Sequence, residues 1–146
     1  MNGGVFVDAG VLVACWDRGS PERQRAASAW EAALWRSRRG RVSAMVLDEL
    51  FLTLTGLEPG LPVAEARAQV RDYWRWRPVV QSLELVERTW SLQARYAMGH
   101  RDAQVAAAAI LGRCDHVLSD AYDDGQDLFG VKVVDPYRRG PDVLGL

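Results

Sequence analysis

The feature that most constrains the fold is a set of very short apolar runs set between long amphipathic stretches. Val5-Phe6-Val7, His116-Val117-Leu118 and the run from Val131 to Val134 are rich in β-branched residues, and each is followed at once by Asp8, Ser119 or Asp135. Runs this short bury no helical face, and they read as interior strands. Strands alternating with helices predict an α/β fold: a small, mostly parallel central sheet of about four to five strands flanked by helices.

The helices announce themselves by their ends. Ser20-Pro21-Glu22 offers a capping hydroxyl, a proline at the first position and an acid near the positive end of the dipole. Ala26, Ala27, Trp30, Ala33 and Leu34 follow at helical spacing, and the segment ends near Gly40. Arg41-Val42 reads as a very short strand. Ser43 caps a second helix, with Met45, Val46, Leu50 and Thr53 on one side, that stops by Gly56. Pro62 opens a third, ended by Pro78, and Val79-Val80 is a further short extended piece. Ser82 caps a fourth, broken at Gly99-His100. Asp102 to Leu111 is a fifth, its alanines suited to close packing. Val11 to Trp16 fits either a helical turn or a strand piece. The chain reads as one domain over residues 1–137, with 138–146 a loose tail.

Composition narrows the function classes. With 146 residues, 49% of them hydrophobic, the chain can bury a core without disulfides or metal staples. Cys15 and Cys114 stand in apolar stretches without metal-ligand spacing, as buried thiols of a reducing compartment would. The longest apolar run, Val105 to Leu111, falls far short of the ~20 residues a membrane span needs. No basic n-region precedes an apolar stretch at the N-terminus, so a cytoplasmic location without membrane contact is expected. The net charge of −1 gives no global attraction for nucleic acid. Charge is nevertheless segregated. Seven arginines and two acids lie between Arg18 and Arg41, while five aspartates and no Lys or Arg lie between Asp115 and Asp127. Seventeen of the eighteen basic residues are Arg, a bias that codon usage alone explains as well as phosphate binding does.

Acids at the ends of apolar segments carry the chemistry. In open parallel sheets, ligands bind beyond the carboxyl ends of the strands. Asp8 directly follows one strand, and Asp120 follows another after Ser119. Glu49 lies within the apolar stripe of its helix, with Asp48 a weaker neighbour, and Asp102 opens the alanine helix. Singly, each has a plain reading: Asp8 a helix cap, Glu49 a half-exposed helix residue, Asp102 a dipole partner, Asp120, Asp123 and Asp124 turn formers. Together they are harder to dismiss. Two carboxylates ~4 Å apart repel by about 4 kcal/mol at an effective dielectric near 20, so a converging cluster must take up protons or hold a cation. Oxygen-only ligands favour Mg²⁺ or Mn²⁺ over zinc, and such an ion suits phosphodiester hydrolysis by an activated water.

Other site chemistries fail on residue type. An EF-hand starting at Asp120 needs an oxygen ligand where Tyr122 stands and Glu where Val131 stands. Gly3-Gly4 precede the first strand, so no dinucleotide fingerprint exists. Lys132, the only lysine, lies inside a strand run and serves neither a phosphate loop nor a phospho-acceptor site. His100 and His116 read as a cap and a core residue. Tyr73-Trp74-Arg75-Trp76-Arg77 interleaves aromatics with arginines as base-stacking surfaces do, but reads first as a helix end packed by its tryptophans and then as a protein contact.

Several stretches, in order, resemble the PIN-domain endoribonucleases, and among them the VapC toxins of toxin–antitoxin pairs. They are Val5 to Val13, Val42 to Leu50, Arg101 to Ala108, Gly112 to Asp120, Asp124-Gly125-Gln126 and Val131 to Pro136. The resemblance implies a PIN-like sheet with an acidic pocket at its carboxyl edge and Mg²⁺- or Mn²⁺-dependent cleavage of RNA. It also implies a homodimer and a cognate antitoxin that inserts into the pocket. By position, Asp8, Glu49 and Asp102 are the expected catalytic and metal-binding acids. Three positions depart from the pattern. Ala9 and Gly10 stand where a hydroxyl and an amide are usual, and Ala121 stands where the fourth acid is usual, leaving Asp120 or Asp124 as candidate outer ligands. The alternative expectation is a catalytically weakened PIN scaffold that binds RNA or a protein partner.

Overall fold

A computed structural model describes residues 3–146. Five strands form one sheet: β1 (Gly4–Val7), β2 (Gly40–Arg41), β3 (Cys114–Leu118), β4 (Asp127–Leu128) and β5 (Val131–Val134). Their order is β2-β1-β3-β5-β4, parallel throughout except for the β4–β5 hairpin. Six α-helices surround the sheet: α1 (Ala9–Ala14), α2 (Pro21–Ser37), α3 (Ala44–Gly56), α4 (Val63–Tyr73), α5 (Leu83–Tyr96) and α6 (His100–Leu111). The expected α/β architecture is present.

Every residue of β1 is buried, as its apolar run requires. The chain leaves β1 for β2 on one side and reaches β3 on the other. The junction between β1 and β3 is therefore where the strand order reverses, the place at which an open α/β sheet leaves a crevice for ligands. The alanines of α6 make that crevice possible. Ala103 and Ala106 to Ala109 are fully buried, so the helix backbone lies close to the sheet and to α5.

Some boundaries differ from expectation. Val11 to Ala14 lies in helix α1, with Cys15 and Trp16 in the turn after it, because Asp8 caps α1 directly after β1: its Oδ1 accepts the Ala9 N–H at 2.7 Å. Helix α6 starts at His100, two residues earlier than expected, with Gly99 as its cap. The short β4 was not anticipated, and Val79 contributes one parallel bridge to Ser43 instead of a strand. The caps at Ser43 and Ser82 accept the Val46 and Leu85 N–H groups, each at 3.1 Å, whereas Ser20 makes no side-chain cap bond.

The tail is not loose. Residues Pro141–Leu144 form a 3₁₀ turn, and Leu144 and Leu146 pack on the core. The buried Trp30 donates its indole N–H to the Arg139 carbonyl at 2.8 Å, and Arg39 donates to the Leu144 carbonyl at 3.2 Å. Asp124 clamps the start of the tail, accepting the Asp135 N–H at 2.9 Å and Arg139 Nε at 2.7 Å. These contacts are nonlocal, so periodicity in the tail itself carried no trace of them.

Two expected outcomes test this packing. A Cβ built on Gly40 lies 2.6 Å from the buried Trp76 ring, so Gly40→Ala forces a core aromatic to move and should cost about 1–3 kcal/mol in urea denaturation. Asp124 is held below its ordinary value, first by the Asp135 N–H and then by Arg139. A carboxyl depressed by folding lends stability above its unfolded pKa and loses it as pH falls through the folded value. Limited proteolysis of the tail should therefore accelerate as pH drops below 3.8, and Asp124→Asn should show fast cutting already at neutral pH.

Candidate metal centre

The site grows from the carboxyl end of β1. The Asp8 N–H donates to the Leu118 carbonyl at 3.1 Å, which continues the β1–β3 ladder one residue past the strand and points the side chain over the sheet edge. Asp8 is 5% exposed, and both of its oxygens are engaged. Oδ1 accepts from Ala9 N and from Arg101 Nη2 at 2.6 Å; Oδ2 accepts the Ser119 hydroxyl at 2.8 Å and a longer contact from Arg101 Nη1 at 3.4 Å. Ser119 follows β3 and is itself buried. Its hydroxyl thus orients Asp8 from the neighbouring strand, a task the sequence assigned to the position occupied by Ala9.

Arg101 gathers the acids. It stands in the first turn of α6, one residue before Asp102. Its Nε and Nη2 meet Glu49 Oε1 and Oε2 at 3.2 and 2.5 Å, and its Nη1 meets Asp102 Oδ1 at 3.2 Å. With the two contacts to Asp8, all five N–H groups of the guanidinium point at carboxylate oxygens of three acids drawn from β1, α3 and α6. The pairing with Asp8, then with Glu49, raises the Arg101 pKa well above the usual range, against the effect of partial burial. The guanidinium lies at the mouth of the crevice, with 44% of the side chain exposed. Glu49 and Asp102 are also partly open, so the sequence expectation that Glu49 faces the body of the protein is corrected: it borders solvent.

The remaining candidates are placed elsewhere. Asp120 pairs with Arg23 at 3.2 Å on the surface. Asp124 has both oxygens committed to the tail. Asp48 is exposed and lines the groove between α3 and α4. Tyr122, which the sequence reading treated only as a misfit, donates its hydroxyl to the Asp102 carbonyl and steadies the first turn of α6. Burial pushes its pKa up, so it remains a donor. His100 contacts Gln93 Oε1 at 3.1 Å, away from the acids. Cys15 and Cys114 are held near pKa 12 by burial and are inert.

Three carboxylates around one guanidinium leave two negative charges uncompensated. The donor set is oxygen only and already surrounds a cation, which fits a hard divalent ion by its chemistry. The acids are spread around a planar fork instead of a point. Among the described residues, no three His, Cys, Asp or Glu side chains form a ready metal cluster as they stand. The sequence reading missed Arg101 and the role of Ser119; the signals were a base directly before the helix-opening acid and a hydroxyl at a strand end.

The fold recurs in known structures. A toxin–antitoxin complex from Klebsiella pneumoniae superposes with a TM-score of 0.64 at 20% identity, over 92% of this chain and 98% of that one. VapC20 of Mycobacterium tuberculosis, a sarcin–ricin loop cleaving toxin, gives 0.60 at 23% identity over 82% and 90%. DNA-bound VapBC of Salmonella typhimurium gives 0.64 at 16% identity over 92% and 98%. No curated protein matches the sequence at a significant level. The family model of the PIN domain matches residues 5–127. That match spans the crevice and all three converging acids, and the chain belongs to the PIN domain family.

Proposed function

We propose that the protein is an endoribonuclease toxin of the VapC type that hydrolyses RNA phosphodiester bonds with Mg²⁺ or Mn²⁺. The observation that carries this reading is the meeting of Asp8, Glu49 and Asp102 around one positive charge at the β1–β3 crevice. Family membership and the toxins that share the fold support it. Asp8, Glu49 and Asp102 would hold the ion, with Asp120 an outer candidate once free of Arg23. The bound ion supplies the positive charge that polarises the phosphodiester and makes a water acidic enough to attack. The protein's own residues do the rest. Ser119 and the Ala9 N–H hold Asp8 in one orientation, and Tyr122 anchors the backbone at Asp102. Asp124 is assigned to the tail instead of the metal.

An antitoxin partner fits the groove between α3 and α4. This cavity of about 560 Å³ is walled by Leu47, Phe51, Val70 and the half-exposed Trp74. Apolar Leu83 and Trp90 stand exposed on one side of α5, and they are the surface proposed for a second copy in a homodimer.

The test is cleavage of a sarcin–ricin-loop oligonucleotide, the target of the tuberculosis neighbour, alongside a total structured RNA pool, with Mg²⁺, Mn²⁺ or chelator. Metal-dependent fragments are expected, falling about a hundredfold or more in Asp8→Asn. A variant that cleaves as fast as the parent removes the acids from the chemistry. A gel shift without fragments under either metal marks a binding scaffold instead.

A further inference from the structure

We propose that Arg101 is a built-in counter-cation of the acid cluster, and that it and a divalent ion occupy the cluster in exchange. This deepens the metalloenzyme reading and rests on it. Every N–H of the guanidinium is used on the three acids, so Arg101 holds the cation position and also fixes where the carboxylates point. The guanidinium stands where the three acids converge, so a divalent ion brought to that point meets a like charge and binds closely only as the guanidinium leaves. The exchange is mechanically simple, because the side chain sits at the crevice mouth, 44% exposed, and swings outward without moving α6. The consequence is a folded, metal-free state that is not destabilised by three bare carboxylates, and a metal affinity set lower than the acids alone would give.

Calorimetric titration with Mn²⁺ and metal-free melting test the exchange on the full chain. Arg101→Gln should bind Mn²⁺ about tenfold more tightly or better than the parent. It should melt lower without metal and recover with it. Arg101→Lys keeps the charge but not the fork, so it should fall between the two, and it serves as the test if the glutamine variant does not fold. Equal Mn²⁺ affinity in parent and variants overturns the exchange and leaves the metalloenzyme reading standing. Absence of binding in all of them overturns both.

A second observation, independent of the acids, lies beside β2 at the edge of the sheet. The arginine-rich stretch and the Trp-Arg-Trp-Arg segment come together there. Arg38, Arg41, Arg75 and Arg77 line a cavity of about 500 Å³ with Trp35 and Trp76. Neighbouring backbones explain the meeting. Arg41 lies in β2, and the segment after Arg77 bridges at Val79 to Ser43 just beyond β2. No acid lines the cavity, and among the described residues none of the four arginines has a carboxylate within ion-pair distance. Arg41 spends donors only on the Arg38 and Gly40 carbonyls. Among the described residues the buried Trp76 indole N–H has no partner.

Four guanidinium groups without an ion-paired carboxylate suit a polyanion, even with Arg75 also bordering Glu31 and Asp72 in the adjoining cleft. We infer that this cleft grips the phosphodiester backbone of RNA away from the scissile bond. The inference takes the identity of the polyanion from the ribonuclease reading. Fluorescence anisotropy of a labelled single-stranded RNA in chelator measures binding without cleavage. Arg75→Gln/Arg77→Gln, both exposed positions, should weaken binding about tenfold and lower the salt slope by about one and a half. Arg38→Gln should give a smaller change of the same sign. Unchanged affinity and slope overturn the inference, while cleavage by the acids is judged separately by Asp8→Asn.

Discussion

The structure turns on compensation of one nearly buried carboxylate. Asp8 directly follows β1, caps α1 and stands at the point where strand order reverses. Its charge is tolerable there because four donors from three residues converge on its two oxygens: the Ala9 N–H of its own helix, the Ser119 hydroxyl and two nitrogens of Arg101. A buried charge without such partners would be neutralised or would unfold the site. The cap bond and the ion pair also do different work. The first sets the chain direction leaving β1, and the second ties α6 to the sheet edge.

That tie explains why a helix made largely of alanine opens on charged residues. The small side chains let α6 lie against β3 and α5, and this close approach brings Arg101 and Asp102 within reach of β1 and α3. Bulkier residues at Ala103 or Ala106 would lift the first turn and separate the acids. Packing and site chemistry are thus one arrangement, with Ser119 and Tyr122 as its braces. Two surfaces then differ in kind: acids around a single arginine at the crevice, and arginines without ion-paired carboxylates beside β2. An extended polyanion in contact with both would be repelled by uncompensated carboxylates and held by guanidinium groups, so charge alone favours cation loading of the acidic surface before substrate settles.

Much of this was legible in the chain. Short β-branched runs ending in acids announced the interior strands, and Ser43 and Ser82 announced helix starts, because both are local effects of side-chain shape and hydrogen bonding. Glu49 was singled out for its place in an apolar stripe. The stripe placed it on the inner side of α3 but overstated its burial, since helical periodicity gives an azimuth and not a depth. Arg101 was passed over because a base next to an acid is ordinary on a helix. The docked tail was passed over because its anchors, Trp30, Arg39 and Asp124, are far away in sequence.

By itself, the sequence determined the α/β alternation, the order of the acids along the chain and most of the helix starts, all of which depend on neighbours within a turn or two. Only the tertiary structure decided which acids share a cation, that Ser119 donates to Asp8 from the neighbouring strand, and that Asp124 holds the tail. Those outcomes depend on the sheet order and on the depth to which α6 settles. Both are set by contacts between residues tens of positions apart, which no local pattern encodes.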